Sequence, residues 1–136
     1  MKMQRFEITP IGFVRSPLEQ RTGAPLQGWE GAPRAFVEVL PEFIDALNGV
    51  KTGDDVWIIT WLHQSQRSVL KVHPRGDTRN RLMGVFATRS PDRPNPIGLH
   101  HVKIVGVDQK RLEVEGFEAI DGTPVIDIKP VIERGS

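Results

Sequence analysis

Hydrophobic and polar residues alternate along most of this chain with a period close to two, in short runs bounded by Gly, Pro, Asn and Asp. Half-buried strands joined by tight turns leave that pattern. The runs predict strands over 6–14, 35–40, 56–63, 81–88, 98–107, 112–117 and 125–129, with a short one at 70–73 and a turn at Asp108-Gln109-Lys110. Pro10 falls inside the first run and confines it to a sheet edge or breaks it in two. Residues 56–63, VWIITWLH, are apolar on both faces, with Trp57 and Trp61 on one side and Ile58 and Leu62 on the other. A central buried strand is expected there. One helix interrupts the strands at 41–49, where Pro stands near the start, Phe43, Ile44 and Leu47 are apolar, and Gly follows the end. It is too short to cross between parallel strands. The expected fold class is therefore mainly β, a small, mostly antiparallel β-barrel with short helical insertions.

Composition narrows the function classes. A chain of 136 residues, 38% hydrophobic and 26% charged, is expected to form one domain, 1–136, with no additional C-terminal domain. No apolar run approaches the roughly 20 residues of a membrane helix. The start MKMQRFEITP has no apolar core of a signal peptide, so a cytoplasmic location without membrane contact is expected. Cysteine is absent, which removes disulfides, thiol nucleophiles and cysteine-ligated metals. The histidines show neither H-x-x-x-H nor H-E-x-x-H spacing, and His100 and His101 point to opposite faces of a strand, so no metal site is expected. Both G-x-G-x-x-G and G-x-x-x-x-G-K-[ST] are missing, which argues against nucleoside triphosphate chemistry. The net charge of +1 conceals an uneven distribution: residues 63–103 carry eight Lys or Arg against two acids, and also all four histidines. A solvated basic loop and a phosphate-contacting surface both produce such a bias.

Three places concentrate residues able to do chemistry. In 88–96, TRSPDRPNP, three prolines stiffen the chain, and Arg93 and Asn95 each precede one and are steered away from helix. Such a loop presents side chains at little entropic cost on binding. Arg89 or Arg93 can clamp a carboxylate or phosphate, and Asn95 can read an amide or an adenine edge; a rigid turn with a structural Arg–Asp pair uses the same residues. In Asp121-Gly122-Thr123-Pro124 the Asp-Gly pair signals a turn, with Asp121 capping backbone. Asp127 interrupts an apolar strand, with Lys129 two residues on along the same face. A structural ion pair and a catalytic acid–base group both fit. His63-Gln64 ends the 56–63 run, either as a polar pair at a cleft mouth or as a satisfied core histidine.

The string GVFATRSPDRPNPIGL at 84–99, with His63-Gln64 upstream, DGTPVIDIKP downstream and IGFVRSP at 11–17, resembles the TsaA-like, or tRNA N6-threonylcarbamoyladenosine methyltransferase, family over nearly the whole chain. The resemblance implies a β-barrel catalytic domain acting as a homodimer, with S-adenosylmethionine bound near the subunit interface. It also implies methyl transfer to N6 of the threonylcarbamoylated adenosine next to the tRNA anticodon. Carried over position by position, it implies cofactor contacts from Pro25, Leu26 and Gln27, from His63 and Gln64, from Arg89 and Leu99, and from Asp121, Gly122, Thr123 and Pro124. Methylating an exocyclic amine requires a proton acceptor, for which Asp127 and His63 are the candidates, while Arg93, Asn95 and Lys129 are candidate substrate contacts. Two departures bear on the acceptor: longer bacterial members continue into a further domain after DIKP, and Val131 stands where the family has an aromatic. A small-molecule methyltransferase with the same cofactor site and a non-catalytic RNA-binding barrel are the alternatives.

Overall fold

Six of the predicted apolar runs close on one another edge to edge. The computed structural model describes residues 3–19 and 34–133, with strands β1 (Gly12–Arg15), β2 (Ala35–Val39), β3 (Asp55–Trp61), β4 (Lys71–Val72), β5 (Met83–Gly84), β6 (Ile97–Val107), β7 (Arg111–Glu115) and β8 (Pro124–Pro130). All but β4 and β5 form a closed barrel in the order β1-β2-β7-β6-β3-β8, and every pairing is antiparallel. The expected barrel is therefore present. Closure leaves no open sheet edge, so each inward residue packs against the opposite wall. Val14, Val37, Ile58, Val102, Ile104, Leu112, Val114, Phe117 and Val125 are all buried there. Ile58 is fully enclosed. Trimming it to valine is expected to lower stability by about 0.5–1.5 kcal/mol, read as a lower urea midpoint with an unchanged slope; an unmoved midpoint would contradict this packing.

Several predicted boundaries move, each for a local reason. The 6–14 run becomes a strand only at Gly12, beyond Pro10, the residue that disfavours a ladder. The 56–63 run lies centrally between β6 and β8, but only one face is fully buried: Val56, Ile58 and Thr60 point inward, while Trp57, Ile59 and Trp61 are half-buried on the outside. It ends at Trp61 because the next partner is Pro96, which accepts the Leu62 N–H at 2.8 Å but has no N–H to return. The 81–88 run keeps only β5, paired to β4 over two residues, and then tightens into a 3-10 turn over Val85–Ala87. The Val85 carbonyl faces Arg93 there rather than a strand partner. The 41–49 helix is a 3-10 helix, Pro41–Leu47.

Strand direction then sorts the loops between the two barrel ends. The 3-10 helix follows β2 and lays Phe43, Ile44 and Leu47 against the core, plugging that end. At the opposite end β3 and β1 finish while β6 and β8 begin, as the pairs Trp61↔Ile97, Thr60↔Val125 and Phe13↔Pro124 show. The segments 62–67, 85–96 and 116–123 all emerge on this rim.

Candidate functional site

Two of these rim segments are laced together. The Gln66 N–H donates to Asp92 Oδ1 at 2.9 Å, and the Arg93 N–H donates to the Gln66 carbonyl at 3.0 Å. Arg67 donates through Nε to the Pro94 carbonyl at 2.7 Å and through Nη2 to Asn95 Oδ1 at 3.0 Å, while its guanidinium stacks 5.2 Å from the Trp61 ring. Proline removes three backbone donors from 91–96, so most of these ties are donated from 66–67, with the Arg93 N–H the one given by the loop. Arg93 turns the other way, donating from Nη2 to the carbonyls of Val85 and, at 2.9 Å, Thr88. Its Nε is buried with no partner among the described residues, so a ligand oxygen reaching it gains a hydrogen bond without displacing one. Arg89 differs from both. It is exposed, and among the described residues its side chain makes no hydrogen bond or ion pair. His63, in the turn after β3, is likewise exposed and uncommitted among the described residues, and Gln64 beside it is exposed.

The third rim segment docks on the end of β1. Asp121 accepts the Ser16 N–H on Oδ1 at 3.0 Å, as its capping reading requires, and its own N–H donates to the Leu18 carbonyl at 2.5 Å. Gly122 sits at φ +81°, the left-handed geometry that an Asp-Gly turn asks of glycine. Thr123 is buried, its hydroxyl donating to the Ile120 carbonyl at 2.7 Å. Pro124 then starts β8. The positions Pro25, Leu26 and Gln27 lie outside the described residues.

Beside the rim, the outer face of β6-β3-β8 carries the remaining candidates. Ile59 pairs with Leu99 on one side and Asp127 on the other, so those two side chains flank it on the outside of the barrel. Leu99 and Ile97 are exposed apolar residues. Asp127 is half-exposed, not interior, and Lys129 Nζ lies 3.0 Å from its Oδ2. Its Oδ1 accepts the Ile128 N–H at 2.9 Å, fixing the rotamer. The pairing that makes a carboxylate tolerable on an apolar strand is thus present, and it leaves the group facing solvent.

Sequence reasoning missed two features. Arg67 carries no motif signal, yet it ties two rim loops together. Thr60 and His100, on the inner faces of β3 and β6, form a hydrogen-bonded chain with the part-buried Glu118 of the 116–123 segment. The β4–β5 excursion is basic, with Lys71, Arg75, Arg79 and Arg81 in it. There Arg79 grips Asp77 at 2.7 Å and holds its carboxyl below the ordinary carboxylate range. Acidification through that depressed value protonates Asp77 and releases Arg79. Among the described residues no cluster of three His, Asp or Glu is placed to hold a metal, and no helix is long and apolar enough to cross a membrane.

Known proteins resemble this chain along nearly its whole length. Residues 13–135 match the model of the tRNA-methyltransferase O N-terminal domain. The chain is 42% identical over 133 residues to a protein of Methanothermobacter thermautotrophicus named "Probable S-adenosyl-L-methionine-binding protein", covering 98% of this chain and 95% of that one. It is 41% identical over 122 residues to the S-adenosyl-L-methionine-binding protein of Archaeoglobus fulgidus, covering 90% and 86%. The crystal structure of TrmO from Pseudomonas aeruginosa superposes with a TM-score of 0.77 at 34% identity, over 96% of this chain and 58% of that chain. The present chain therefore spans little more than half of the TrmO chain. With a family model covering most of its length and relatives above 40% identity along nearly all of it, the chain belongs to the tRNA-methyltransferase O N-terminal domain family.

Proposed function

We propose that this protein is an S-adenosylmethionine-dependent methyltransferase, acting in the cytoplasm as a homodimer, that methylates N6 of the threonylcarbamoylated adenosine next to the tRNA anticodon. One observation carries the reading: segments 62–67, 85–96 and 121–124, far apart in sequence, converge on a single barrel rim and leave Arg89 and His63 there without partners among the described residues. The names of the relatives support the cofactor, and the family model supports the tRNA acceptor.

The residues fit that cofactor. It presents a carboxylate, for which the uncommitted Arg89 guanidinium is the matching fork. It presents an adenosine, for which Leu99 offers an apolar face and the Asp121–Gly122 turn, whose N–H groups are already donated within the protein, offers backbone carbonyls. When bound, it supplies an electrophilic methyl group on a sulfonium centre. A sulfonium would release a neutral thioether, so the protein would need no acid at the sulfur, and alignment by its residues becomes the main requirement. The amine of the acceptor must shed a proton, and Asp127, held in one rotamer by Lys129 and the Ile128 N–H, is the acceptor we assign. His63 is the rival.

A dimer fits the outer face of β6-β3-β8. Ile97 and Leu99 are exposed and Trp57, Ile59 and Trp61 half-buried along it, an apolar strip of the kind that marks an interaction surface. A second copy seated there would bring its own rim beside Leu99 and Asp127.

For tRNA, the basic β4–β5 excursion is the contact surface. Three phosphate contacts from Lys71, Arg75 and Arg81 give a log–log salt slope of about −2 to −3. Filter binding of tRNA at several salt concentrations checks this, and a flat dependence would remove the excursion from the interface. The function itself is tested by incubating the protein and S-adenosylmethionine with tRNA, either unmodified or threonylcarbamoylated, and weighing the nucleosides. A mass gain of one methyl group on the threonylcarbamoylated nucleoside alone is expected. No gain on either tRNA would overturn the assignment of the acceptor.

A further inference from the structure

The most enclosed polar feature of the barrel has no part in the chemistry above. His100, 5% exposed, points inward from β6. Its Nε2 lies 2.7 Å from the hydroxyl of Thr60, which is wholly buried on β3. Its Nδ1 lies 2.5 Å from Glu118 Oε1. A carboxylate only accepts, so Nδ1 carries the proton and donates it to Glu118, and in the neutral ring Nε2 accepts from the Thr60 O–H. Phe117 packs edge-on against the imidazole, centroids 4.9 Å apart, and fixes the ring plane. Gly98 completes the arrangement. A Cβ there would run into Thr60 Oγ1 and come within 2.6 Å of His100 Nε2, so the chain closes only around a glycine.

Burial rules out Thr60 as a nucleophile, because no substrate reaches it. The position of the three residues indicates another use. Thr60 stands at the register shift between β3 and β8, where Ile59 still pairs with Asp127 and Thr60 with Val125. That shift decides which residue of β8 faces Ile59. His100 follows Leu99. Glu118 lies in the segment leading into the Asp121 turn. The three elements tied together are therefore β3, whose Ile59 pairs with Asp127 of β8, β6, which carries Leu99, and the segment that leads into Asp121–Pro124.

We propose that Thr60, His100 and Glu118 are positioning residues, an internal brace that holds β3, β6 and the 116–123 segment together so that Leu99 and the Asp121 turn meet the cofactor, with Asp127 beside them, in one geometry. This inference rests on the cofactor reading above. Such a chain suits a brace, because His100 is satisfied at both ring nitrogens only when Thr60 and Glu118 are in place and the three elements lock together.

Three variants test it, each followed by calorimetric titration with S-adenosylmethionine, thermal melting and nitrogen-15 spectra of the histidine ring. Glu118→Ala cuts the tether at a half-buried position and is expected to weaken cofactor affinity about tenfold, with loss of the exchange-protected Nδ1–H signal. Glu118→Gln keeps an acceptor at the same place and is expected to restore both. Thr60→Val, nearly isosteric and apolar, removes only the hydroxyl; it is expected to melt as a cooperative barrel, to shift the backbone signals of Leu99, Asp127 and Gly122, and to weaken the cofactor several-fold. A purely stabilising role would lower the melting temperature and leave affinity and those signals alone. Unchanged affinity in both Glu118→Ala and Thr60→Val, with wild-type protein binding normally, would overturn the brace. Should Glu118→Ala fail to fold, Thr60→Val decides by the same criterion. Absence of binding by the wild type would instead overturn the cofactor reading, and the brace with it.

Discussion

Replacing Asp127 by asparagine is expected to slow single-turnover methylation of threonylcarbamoylated tRNA by about a hundredfold or more, while cofactor affinity stays near the wild-type value. The adenine amine is a weak nucleophile because its lone pair is delocalised into the ring, so attack becomes productive as the proton departs. Asparagine has almost the shape of aspartate and retains an oxygen for the Ile128 N–H that donates to Oδ1, but it cannot take a proton. Lys129, 3.0 Å away, loses its ion pair in the variant, yet both groups are half-exposed, so solvent absorbs most of that cost. A large change in rate with little change in stability is therefore the signature. Rapid mixing of preformed enzyme–cofactor complex with tRNA, followed by nucleoside mass analysis, reads the rate. Full activity in Asp127→Asn, with a collapse in His63→Gln, would move the proton acceptor to the turn after β3.

Arg89→Ala is expected to weaken S-adenosylmethionine binding by about ten- to a hundredfold, the range of a charge-assisted hydrogen bond lost at a ligand carboxylate. The size of the effect follows from what Arg89 does not do. Its neighbours Arg67 and Arg93 spend their guanidinium groups on the carbonyls of Pro94, Val85 and Thr88, so truncating either disturbs the loop itself. Arg89 is exposed and holds nothing in place among the described residues, and its loss should leave the melting temperature unmoved. Affinity unchanged in calorimetry would remove Arg89 from the site.

How far the sequence reveals this arrangement depends on the range of the interactions concerned. Alternation along a strand is local, and it located all six barrel strands and set His100 and His101 on opposite faces, though not which of the two points inward. Where an element ends is set by partners elsewhere. The 81–88 run becomes a turn where the Val85 carbonyl takes the Thr88 N–H and the guanidinium of Arg93, eight residues beyond it, and the 56–63 run stops because Pro96, opposite Leu62, has no N–H to return. The candidate site divides in the same way. Proline spacing reveals a stiff loop at 91–96, and Asp-Gly reveals the turn at 121–122, but nothing local reveals that Asp121 accepts from Ser16, or that Arg67 ties two rim loops. Asp127 illustrates the cost of reading one strand alone: it suggests a buried carboxylate, and closure of the barrel places it outside. The Thr60–His100–Glu118 chain spans three elements and becomes visible only when β3, β6 and the 116–123 segment are set side by side.

The central claim is that the barrel rim binds S-adenosylmethionine. Isothermal titration of the cofactor into the wild-type chain tests it most directly, with Arg89→Ala titrated alongside under the same conditions. Saturable binding with one cofactor per chain, competed by the demethylated product and weakened in the variant, is the expected result. No saturable heat with the wild type, or identical isotherms for the two proteins, would contradict it.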